Sequence, residues 1–396
     1  MTTTAATTTT TTSGARPAPP LAPAGLRGVV VTETRLGDVL GQEGSYHYRG
    51  YSGVELARTR DVEDGWFLLH RGHLPSADEH AGFAAEVRGA RALGPAVLAA
   101  LPGIAAAGAA AAPLTGLRTA LSLLAAEEGM RPVLDLGPEQ RARDALRLCA
   151  ATPTVLAALH RLRAGLAPVA PRADLGTAAN WLWMLAGREA DARHVRAVER
   201  YLVATLDHGF NASTFTARVV ASTGADVAAA VVAALGAFSG PLHGGAPDRA
   251  LAALDDIGSP DRLDAWVRAR VAAGERIMGF GHAVYRTADP RAVLLRETAQ
   301  ELGGDLVDFA TAVERRVVEV LAELKPGREL HANVEFYAGV VMELCGLERV
   351  LFTPTFAVSR VVGWCANVLE QAGEGRVVRP AARYAGPPPR PVPPRG

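Results

Sequence analysis

Three short segments contain the residue types that acid–base chemistry on carbon needs. Residues 240–245 hold His243 between glycines, residues 279–285 hold His282 after two glycines, and residues 333–337 hold Glu335. Each glycine lets the backbone approach a bound ligand or adopt a positive φ that a side chain disfavours. Two imidazoles and a carboxylate are suited to moving protons on and off carbon and carbonyl oxygen. Together, the three segments therefore predict a proton-transfer site.

Each segment also has an ordinary structural interpretation when it is taken alone. A single histidine after a helix, such as His208, is usually a satisfied polar residue, and Glu335 alone would be a helix-start carboxylate that favours the helix dipole. Gly279 and Gly281 do not form a dinucleotide-binding motif, because no strand precedes them and the third glycine is missing. Arg360 is different, because it lies in an apolar helix and a buried arginine needs an anion.

The elements that must position these residues are predominantly helical. Residues 227–238 are nearly all apolar, which predicts a buried helix that ends at the Gly240-Pro241 break just before His243. Residues 283–304 and 340–347 are further predicted helices. Another predicted helix has charged residues on one face and, on the other, the apolar residues Leu306, Phe309, Ala310, Val313, Val317, Leu321 and Leu324.

A small β element is predicted near the N-terminus, from residues 28–35, 37–41 and 45–51. Strands do not alternate with helices along the chain, so the sequence does not support a doubly wound sheet. The Thr/Ala/Pro-rich residues 1–24 and the Pro/Arg-rich residues 387–396 are predicted to be disordered. The predicted fold class is mainly α.

The composition of the chain excludes several classes of protein. Its 396 residues are 49% hydrophobic and 21% charged, which is ordinary for a globular protein. Acidic and basic residues balance at 41 each, so neither nucleic acid nor an anionic membrane is an expected partner. The three cysteines, Cys149, Cys345 and Cys365, have no paired spacing, which argues against disulfides and a zinc site. No signal peptide or membrane span is recognisable, so we expect a cytoplasmic protein.

Taken in order with several other segments, these residues resemble the citrate synthase family. Members of that family condense acetyl-CoA or a close acyl-CoA with a 2-oxo acid. The segment 48–51 looks like part of the family's opening, residues 66–75 look like its next helix, and residues 207–214 are similar to the segment that carries an oxaloacetate-binding histidine. The resemblance covers residues 28–386, which is nearly the whole chain.

The resemblance implies a role for each matched residue. His243 would hydrogen-bond the thioester oxygen of the enol, His282 would polarise and protonate the oxaloacetate carbonyl, and Glu335 would be the base. A dicarboxylate substrate calls for bidentate cations, which arginine supplies better than lysine. The implied substrate-binding residues are His208, Arg291, Arg360 and Arg379. Arg286 would contact a CoA phosphate, although it could equally be a solvated charge.

The resemblance also implies an architecture and a set of partners. The expected molecule is a homodimer, with a large domain of residues 25–243 and 346–386 and a small domain of residues 244–345. The implied catalytic residues straddle this boundary, so closure of the small domain would complete the site and exclude water. The partners would be oxaloacetate and either acetyl-CoA or propionyl-CoA. No metal or prosthetic group is implied, because the CoA thioester is itself a substrate.

Two differences from the family pattern leave alternatives open. Glu335 stands where most members carry aspartate, and Thr205 stands where many carry a histidine. One alternative is a 2-methylcitrate synthase that uses propionyl-CoA, since one methyl group in an apolar pocket is worth only about 1–3 kcal/mol. The other is a catalytically silent paralogue that keeps the fold and binds acyl-CoA or a partner.

Overall fold

The computed structural model describes residues 20–107, 113–240, 243–244, 246–282, 284–327 and 329–393, without the side chains of 246–249. The chain divides into two compact units, the first of residues 1–33 and 379–396 and the second of residues 34–378. The predicted division into a large and a small domain follows different boundaries and stays a prediction. Of the two predicted disordered tails, residues 1–19 and 394–396 lie outside the described residues. Residues 387–393 are exposed and have no regular secondary structure.

The second unit is built mainly of α-helices, which confirms the predicted fold class. Its described residues contain α1 (Gly53–Thr59), α2 (Val62–Arg71), α3 (Ala77–Gly89), α4 (Pro95–Ala107), α5 (Pro113–Glu127), α6 (Pro138–Arg163), α7 (Thr177–Ala186), α8 (Ala192–Ala204), α9 (Ala212–Ser222), α10 (Val227–Phe238), α11 (Ala246–Ile257), α12 (Leu263–Ala272), α13 (Pro290–Leu302), α14 (Asp305–Leu324), α15 (Val334–Leu344) and α16 (Phe352–Glu374). In the first unit, the described residues include one 3-10 turn, Ala24–Leu26.

Helices with a strong apolar pattern form where the sequence predicts them. The helix predicted for residues 227–238 is α10, which is capped by the Asp226 side chain. The predicted apolar face of α14 is turned inward, with Ala310, Val313, Val317 and Leu321 buried. Packing of these apolar faces supplies most of the stability of such helices.

Two predicted helix starts are wrong. The helix predicted from residue 283 begins only at Pro290, because Asp289 caps it and the backbone before it bonds elsewhere. The amide of Arg286, for example, donates to the carbonyl oxygen of Gly41 at 2.9 Å. The helix predicted for residues 340–347 is α15, which starts earlier because the Asn333 side chain accepts the amide of Glu335 at 3.1 Å. Caps of this kind set a helix boundary more sharply than an apolar pattern does.

The predicted β element exists but is smaller than expected. Strands β1 (Gly37–Leu40), β2 (Ser45–Tyr48) and β3 (Tyr51–Ser52) form an antiparallel sheet in sequence order. The prediction of a strand at residues 28–35 is wrong, since none of these residues is assigned to a strand. The amide of Arg35 donates to the carboxylate of Glu370 at 2.8 Å, and the hydroxyl of Thr34 donates to the same carboxylate at 2.8 Å. The Arg35 amide thus bonds to a side chain rather than to a neighbouring strand.

The core of the second unit is organised around α16. Seventeen of its residues are buried, and it packs against α6, α9, α10 and α2. The indole rings of Trp66, Trp181 and Trp364 are fully buried in this core. Within the described part of the chain, every helix is too short or too polar to span a membrane.

Candidate active site

A short backbone pairing connects the segment of His282 to the helix that carries Glu335. The amide of Gly281 donates to the carbonyl oxygen of His331 at 2.8 Å, and the amide of Asn333 donates to that of Gly279 at 2.8 Å. Gly279 and Gly281 have φ values of +84° and +83°, which disfavour any side chain at these positions. The pairing brings two of the three sequence-predicted segments side by side.

The hydrogen bonds of His282 define where its proton lies. Its Nδ1 accepts the amides of Val284 and Tyr285, each at 3.0 Å. A neutral ring therefore carries its proton on Nε2, which lies 3.3 Å from Nη2 of Arg291. Burial, together with the smaller effect of the Arg291 charge, lowers the pKa of His282 to about 4. Near neutral pH the ring is uncharged, and two N–H donors face the same space.

Arg291 is buried in the first turn of α13 and held by Asp289, the residue that caps this helix. The guanidinium donates from Nε to Oδ1 at 3.0 Å and from Nη2 to Oδ2 at 2.8 Å. Burial alone would lower the pKa of Arg291, but Asp289 raises it above its ordinary value. Burial likewise acts to raise the pKa of Asp289, and Arg291 outweighs that effect and lowers it. Both groups are therefore charged.

Glu335 lies in the first turn of α15, and its carboxyl group has a raised pKa. No hydrogen bond reaches its side chain from the described part of the chain, although Asn333 binds its backbone amide. Burial raises the pKa of Glu335 to about 7, with Arg291 lowering it and Asp289 raising it. A carboxylate with this pKa is a stronger base than an exposed glutamate, yet is still about half ionised near neutral pH.

His243 follows α10 and is held by a serine of α9. Its Nε2 lies 2.8 Å from Oγ of Ser213, and its ring contacts Phe238 with centroids 5.4 Å apart. Ser213 also accepts the indole N–H of Trp364 at 3.0 Å and lies 2.8 Å from Oδ1 of Asn211. Burial lowers the pKa of His243 to about 4. This second imidazole is also neutral, and its orientation is fixed by the serine.

His208 joins the same cluster through aromatic contacts. Its Nε2 lies 3.0 Å from the hydroxyl of Tyr285, and its ring meets that of His282 edge-on with centroids 5.7 Å apart. Burial lowers the pKa of His208 well below its ordinary value, and the charges of Arg291 and Arg360 lower it further. The structure therefore places this neutral histidine against His282 and within the influence of two cations.

Arg360 is a second buried cation, on α16. Its Nε donates to the carbonyl oxygen of Thr205 at 3.0 Å, and its guanidinium lies over the ring of Phe356 at 4.6 Å. Burial lowers the pKa of Arg360, an effect that the charge of Asp207 opposes. Burial also raises the pKa of Asp207 to about 6. Thr205 itself lies 3.0 Å from the hydroxyl of Ser359, so a threonine at this position is satisfied within the core.

The sequence-predicted residues thus divide into two groups. Direct contacts join His208, His282 and Arg291 through Tyr285, and charge interactions connect them to the buried Arg360 and to the half-buried Glu335 and His243. The other two predicted residues are exposed. Arg286 lies in the loop after His282, and Arg379 belongs to the first compact unit. Their assignments stay predictions.

Sequence reasoning missed several residues that build the site. Asp289 holds Arg291, Ser213 holds His243, and Tyr285 contacts both His208 and His282. The local signal for Asp289 was present, because an acidic residue before a proline is a common helix start. No local pattern reveals the contact of Ser213 with His243, since it joins residues 30 positions apart.

One further group of ligand-type side chains occurs among the described residues. A carboxylate oxygen from each of Asp61 and Asp64 and a ring nitrogen of His80 lie within 4.8 Å of one another. Nδ1 of His80 contacts Asp64 at 2.9 Å, and Arg60 lies 3.5 Å from the same carboxylate. These ion pairs account for the cluster without a metal ion.

Comparison with known proteins is consistent with this geometry. The family model for the citrate synthase C-terminal domain matches residues 25–381. A citrate synthase from Deinococcus radiodurans is 36% identical over 371 residues, covering 91% of this chain and 95% of that protein. A 2-methylcitrate synthase from Mycobacterium tuberculosis is 38% identical over 366 residues, covering 91% and 90%.

Solved structures agree with the sequence comparison. A citrate synthase from Pyrobaculum aerophilum superposes with a TM-score of 0.83 at 35% identity, covering 93% of this chain and 94% of that one. A citrate synthase from Thermoplasma acidophilum, solved in a ternary complex with carboxymethyl coenzyme A and oxaloacetate, gives a TM-score of 0.85 at 27% identity, covering 94% of this chain and 98% of that one. With the fold, the clustered histidines and the matched sequence in agreement, the chain belongs to the citrate synthase family.

Proposed function

We propose that this protein is a citrate synthase, which condenses acetyl-CoA with oxaloacetate to give citrate and CoA. The observation that carries the proposal is the contact between Arg291 and His282, whose donors converge on one space while Asp289 links Arg291 to the helix of Glu335. A buried cation and a neutral N–H donor fit a carboxylate beside a ketone. A nearby base of raised pKa fits a carbon acid.

Oxaloacetate would occupy the region between the two buried arginines. Asp289 takes Nε and one N–H of Nη2 from Arg291, so the Nη1–Nη2 edge is available to one substrate carboxylate. Arg360 uses Nε on Thr205, which leaves its two terminal nitrogens for the other carboxylate. His282 would donate from Nε2 to the ketone oxygen, and thereby make the ketone carbon more electrophilic.

The acyl-CoA half of the reaction would use Glu335 and His243. The carboxylate of Glu335 takes a proton from the methyl group of acetyl-CoA, and the electron pair of the C–H bond moves to the thioester oxygen. His243 donates from Nδ1 to that oxygen. This tautomer requires the Ser213 hydroxyl to donate its one hydrogen bond to Nε2 of His243, 2.8 Å away, instead of to Oδ1 of Asn211, which is also 2.8 Å away.

Carbon–carbon bond formation then follows in the same site. The enol carbon attacks the ketone carbon, and the ketone oxygen takes the proton from Nε2 of His282. The product of this step is a citryl thioester. Water attacks its thioester carbonyl and returns one proton to Nε2 of His282, the C–S bond breaks, and the leaving thiolate takes the proton held by Glu335. Citrate and the CoA thiol leave, and the new carboxyl group releases its proton to solvent. These steps require only proton transfers and hydrogen bonds from side chains of this chain.

The test of this proposal is identification of the product. Purified protein incubated with acetyl-CoA and oxaloacetate should form citrate, detected by mass spectrometry. Because relatives named citrate synthase and 2-methylcitrate synthase match at 36% and 38% identity, a parallel incubation with propionyl-CoA is included. Faster formation of 2-methylcitrate would favour that alternative. No product from either thioester would favour a catalytically silent paralogue.

Closure of a small domain over oxaloacetate is part of the same proposal. Contacts that cross the predicted boundary support it: His208 lies 3.0 Å from Tyr285, and Arg200 pairs with Glu301 at 2.6 Å. A dicarboxylate held from both sides binds the closed state better, and only that difference shifts the equilibrium. Small-angle scattering should show a smaller radius of gyration with oxaloacetate. An unchanged radius, with binding verified by calorimetry, would refute the idea.

The proposed homodimer is supported by the surface of α4. Every exposed residue of this helix is apolar or glycine, including Leu98, which is 50% exposed in the single chain. An apolar helix face of this kind is typical of a buried contact between subunits. Light scattering after size-exclusion chromatography should give twice the mass of one chain, and Leu98→Glu should weaken the dimer. A wild-type monomer at micromolar concentration would contradict the proposal.

A further inference from the structure

The buried carboxylate of Asp289 accepts four hydrogen bonds within the candidate site. The residue is 1% exposed and receives four N–H groups. Oδ1 accepts the backbone amide and Nε of Arg291, both at 3.0 Å. Oδ2 accepts Nη2 of Arg291 at 2.8 Å and the backbone amide of Val334 at 3.0 Å. A buried carboxylate with this many partners is rigidly placed, because losing any bond leaves a buried donor unsatisfied.

The two bonds from the Arg291 side chain set the direction of its guanidinium. Asp289 binds it side-on, through Nε and Nη2, so the opposite edge of Nη1 and Nη2 is the one left for a ligand. That free edge points toward His282, whose Nε2 lies 3.3 Å from Nη2. A lysine or an unpaired arginine would not hold this edge in one direction.

The bond from the amide of Val334 connects the same carboxylate to α15. Val334 is the first residue of this helix, and the next residue is Glu335. The amide of Val334 has no partner inside the helix, because the first amides of any helix point outward. By accepting it, Asp289 fixes the start of α15 relative to the start of α13. One buried carboxylate therefore contacts both the arginine and the helix turn that carries the acid.

We propose that Asp289 is a positioning residue that couples the two halves of the reaction, holding the oxaloacetate-binding edge of Arg291 and the base Glu335 in one fixed relation. The inference rests on the proposed function and adds a residue that the sequence comparison with the family did not single out. Asp289 touches neither substrate in this account. It acts through Arg291 and through the amide of Val334, so its removal disturbs both substrates at once.

Asp289 also adjusts the charge that Glu335 experiences. Among the described residues, the ionisable groups that interact with Glu335 are Arg291 and Asp289 from α13 and Tyr201 from α8. Asp289 raises the pKa of Glu335, and Arg291 lowers it. Loss of the Asp289 charge removes the raising contribution and leaves that of Arg291 unopposed. The pKa of the base should then fall, which a purely structural defect would not produce.

The first experiment compares the pH dependence of kcat for three proteins. Asp289→Asn should lower kcat by at least about tenfold, because the base and the arginine lose their common support. It should also move the acid limb of the profile, the part in which kcat falls as the pH decreases, to lower pH by about one unit. Asp289→Glu keeps the charge, so its limb should stay at the wild-type pH even where kcat falls. Asp226→Asn, which alters only the cap of α10, is the matched control and should leave the limb and kcat unchanged.

The second experiment removes only the bond to α15. Val334→Pro deletes the amide, and proline is well tolerated at the first position of a helix after an extended residue such as Asn333. Val334→Ala is the control, because it trims the side chain and keeps the amide. We expect Val334→Pro to lower kcat at least about fivefold relative to Val334→Ala. The KM for oxaloacetate should stay within about twofold, because Asp289 still holds Arg291.

The outcomes separate this inference from the proposed function. Wild-type protein without thiol release from acetyl-CoA and oxaloacetate would end the proposed function. An active wild type whose acid limb is unchanged in Asp289→Asn would overturn the inference alone. So would equal kcat values for Val334→Pro and Val334→Ala. The proline variant also decides the question if Asp289→Asn does not fold, since it retains the charge pair with Arg291.

Discussion

The side-chain amide of Asn333 donates a hydrogen bond to the carbonyl oxygen of Gly281, 2.9 Å away. Gly281 precedes His282, and Asn333 caps the helix in which Glu335 occupies the first turn. His282, the proposed electrophile, and Glu335, the proposed base, therefore belong to one hydrogen-bonded unit. Their separation is set by the protein before any substrate arrives, as catalysis by positioned groups requires.

The raised pKa of Glu335 leads to a prediction about pH. The base is active as a carboxylate, so kcat should rise with pH up to about 7 and fall about tenfold per unit below it. His243 and His282 have pKa values of about 4 and stay neutral between pH 5.5 and 8.5, so their titration should not change kcat in this range. Steady-state rates between pH 5.5 and 8.5 provide the measurement. A rate that is flat from pH 5.5 to 7.5 would contradict the assignment of Glu335.

Substitution of Glu335 itself should separate chemistry from binding. Glu335→Gln keeps the shape and removes the basicity, so turnover should fall at least about 100-fold while oxaloacetate still binds in calorimetry. Glu335→Asp should also lose activity, since a shift of about 1 Å in the base can cost about 100-fold. Near-normal turnover of the glutamine variant would exclude Glu335 as the base.

The contact between Ser213 and His243 predicts a defect that is specific to the acyl-CoA step. Ser213→Ala leaves both the ring of His243 and the buried N–H of Trp364 without this partner. We expect kcat to fall about tenfold or more, since one lost buried hydrogen bond costs about 1–3 kcal/mol.

A neighbouring residue supplies the control for Ser213→Ala. The hydroxyl of Thr214 is buried and has no hydrogen-bond partner in the described structure, so Thr214→Val should keep both kcat and the melting temperature. Unchanged kcat in Ser213→Ala would rule out a role for the serine in orienting the histidine.

Arg379 is expected to act in the neighbouring subunit of the proposed dimer. His282→Ala and Arg379→Ala chains, each inactive alone, are unfolded, mixed equally and refolded. If Arg379 acts across the interface, a mixed dimer has one intact site, and half of the dimers are mixed, so about a quarter of all sites recover activity. If Arg379 acts within its own chain, every site of a mixed dimer is broken. Absence of recovered activity would end the shared-site prediction.

Local patterns in the sequence were sufficient to predict which segments form helices, but not to predict the residues at which two of these helices begin. The apolar faces of α10 and α14 could be predicted because a helix that buries one face repeats apolar residues at a fixed spacing. The helix expected from residue 283 was placed too early, because the amide of Arg286 donates its hydrogen bond to the carbonyl oxygen of Gly41, which is far away in the sequence. Residues 28–35 have a strand-like composition, but the Arg35 amide bonds to Glu370 instead of a strand.

The site was predictable to a similar extent. The resemblance to the family pointed to His243, His282 and Glu335, because these residue types occur in recognisable segments, and their catalytic roles stay predictions. It did not reveal what holds them. Ser213 contacts His243 across 30 residues, and Asp289 reaches Val334 across 45. Such contacts depend on how helices pack against one another, which no local spacing encodes.

The most direct test of the account is the rate of thiol release when the wild-type protein is mixed with oxaloacetate and a saturating acyl-CoA. We expect release from acetyl-CoA that depends on oxaloacetate, with kcat/KM for acetyl-CoA above that for propionyl-CoA, and loss of the signal in Glu335→Gln. Thiol release that is absent, or that does not require oxaloacetate, would contradict the assignment of this protein as a citrate synthase.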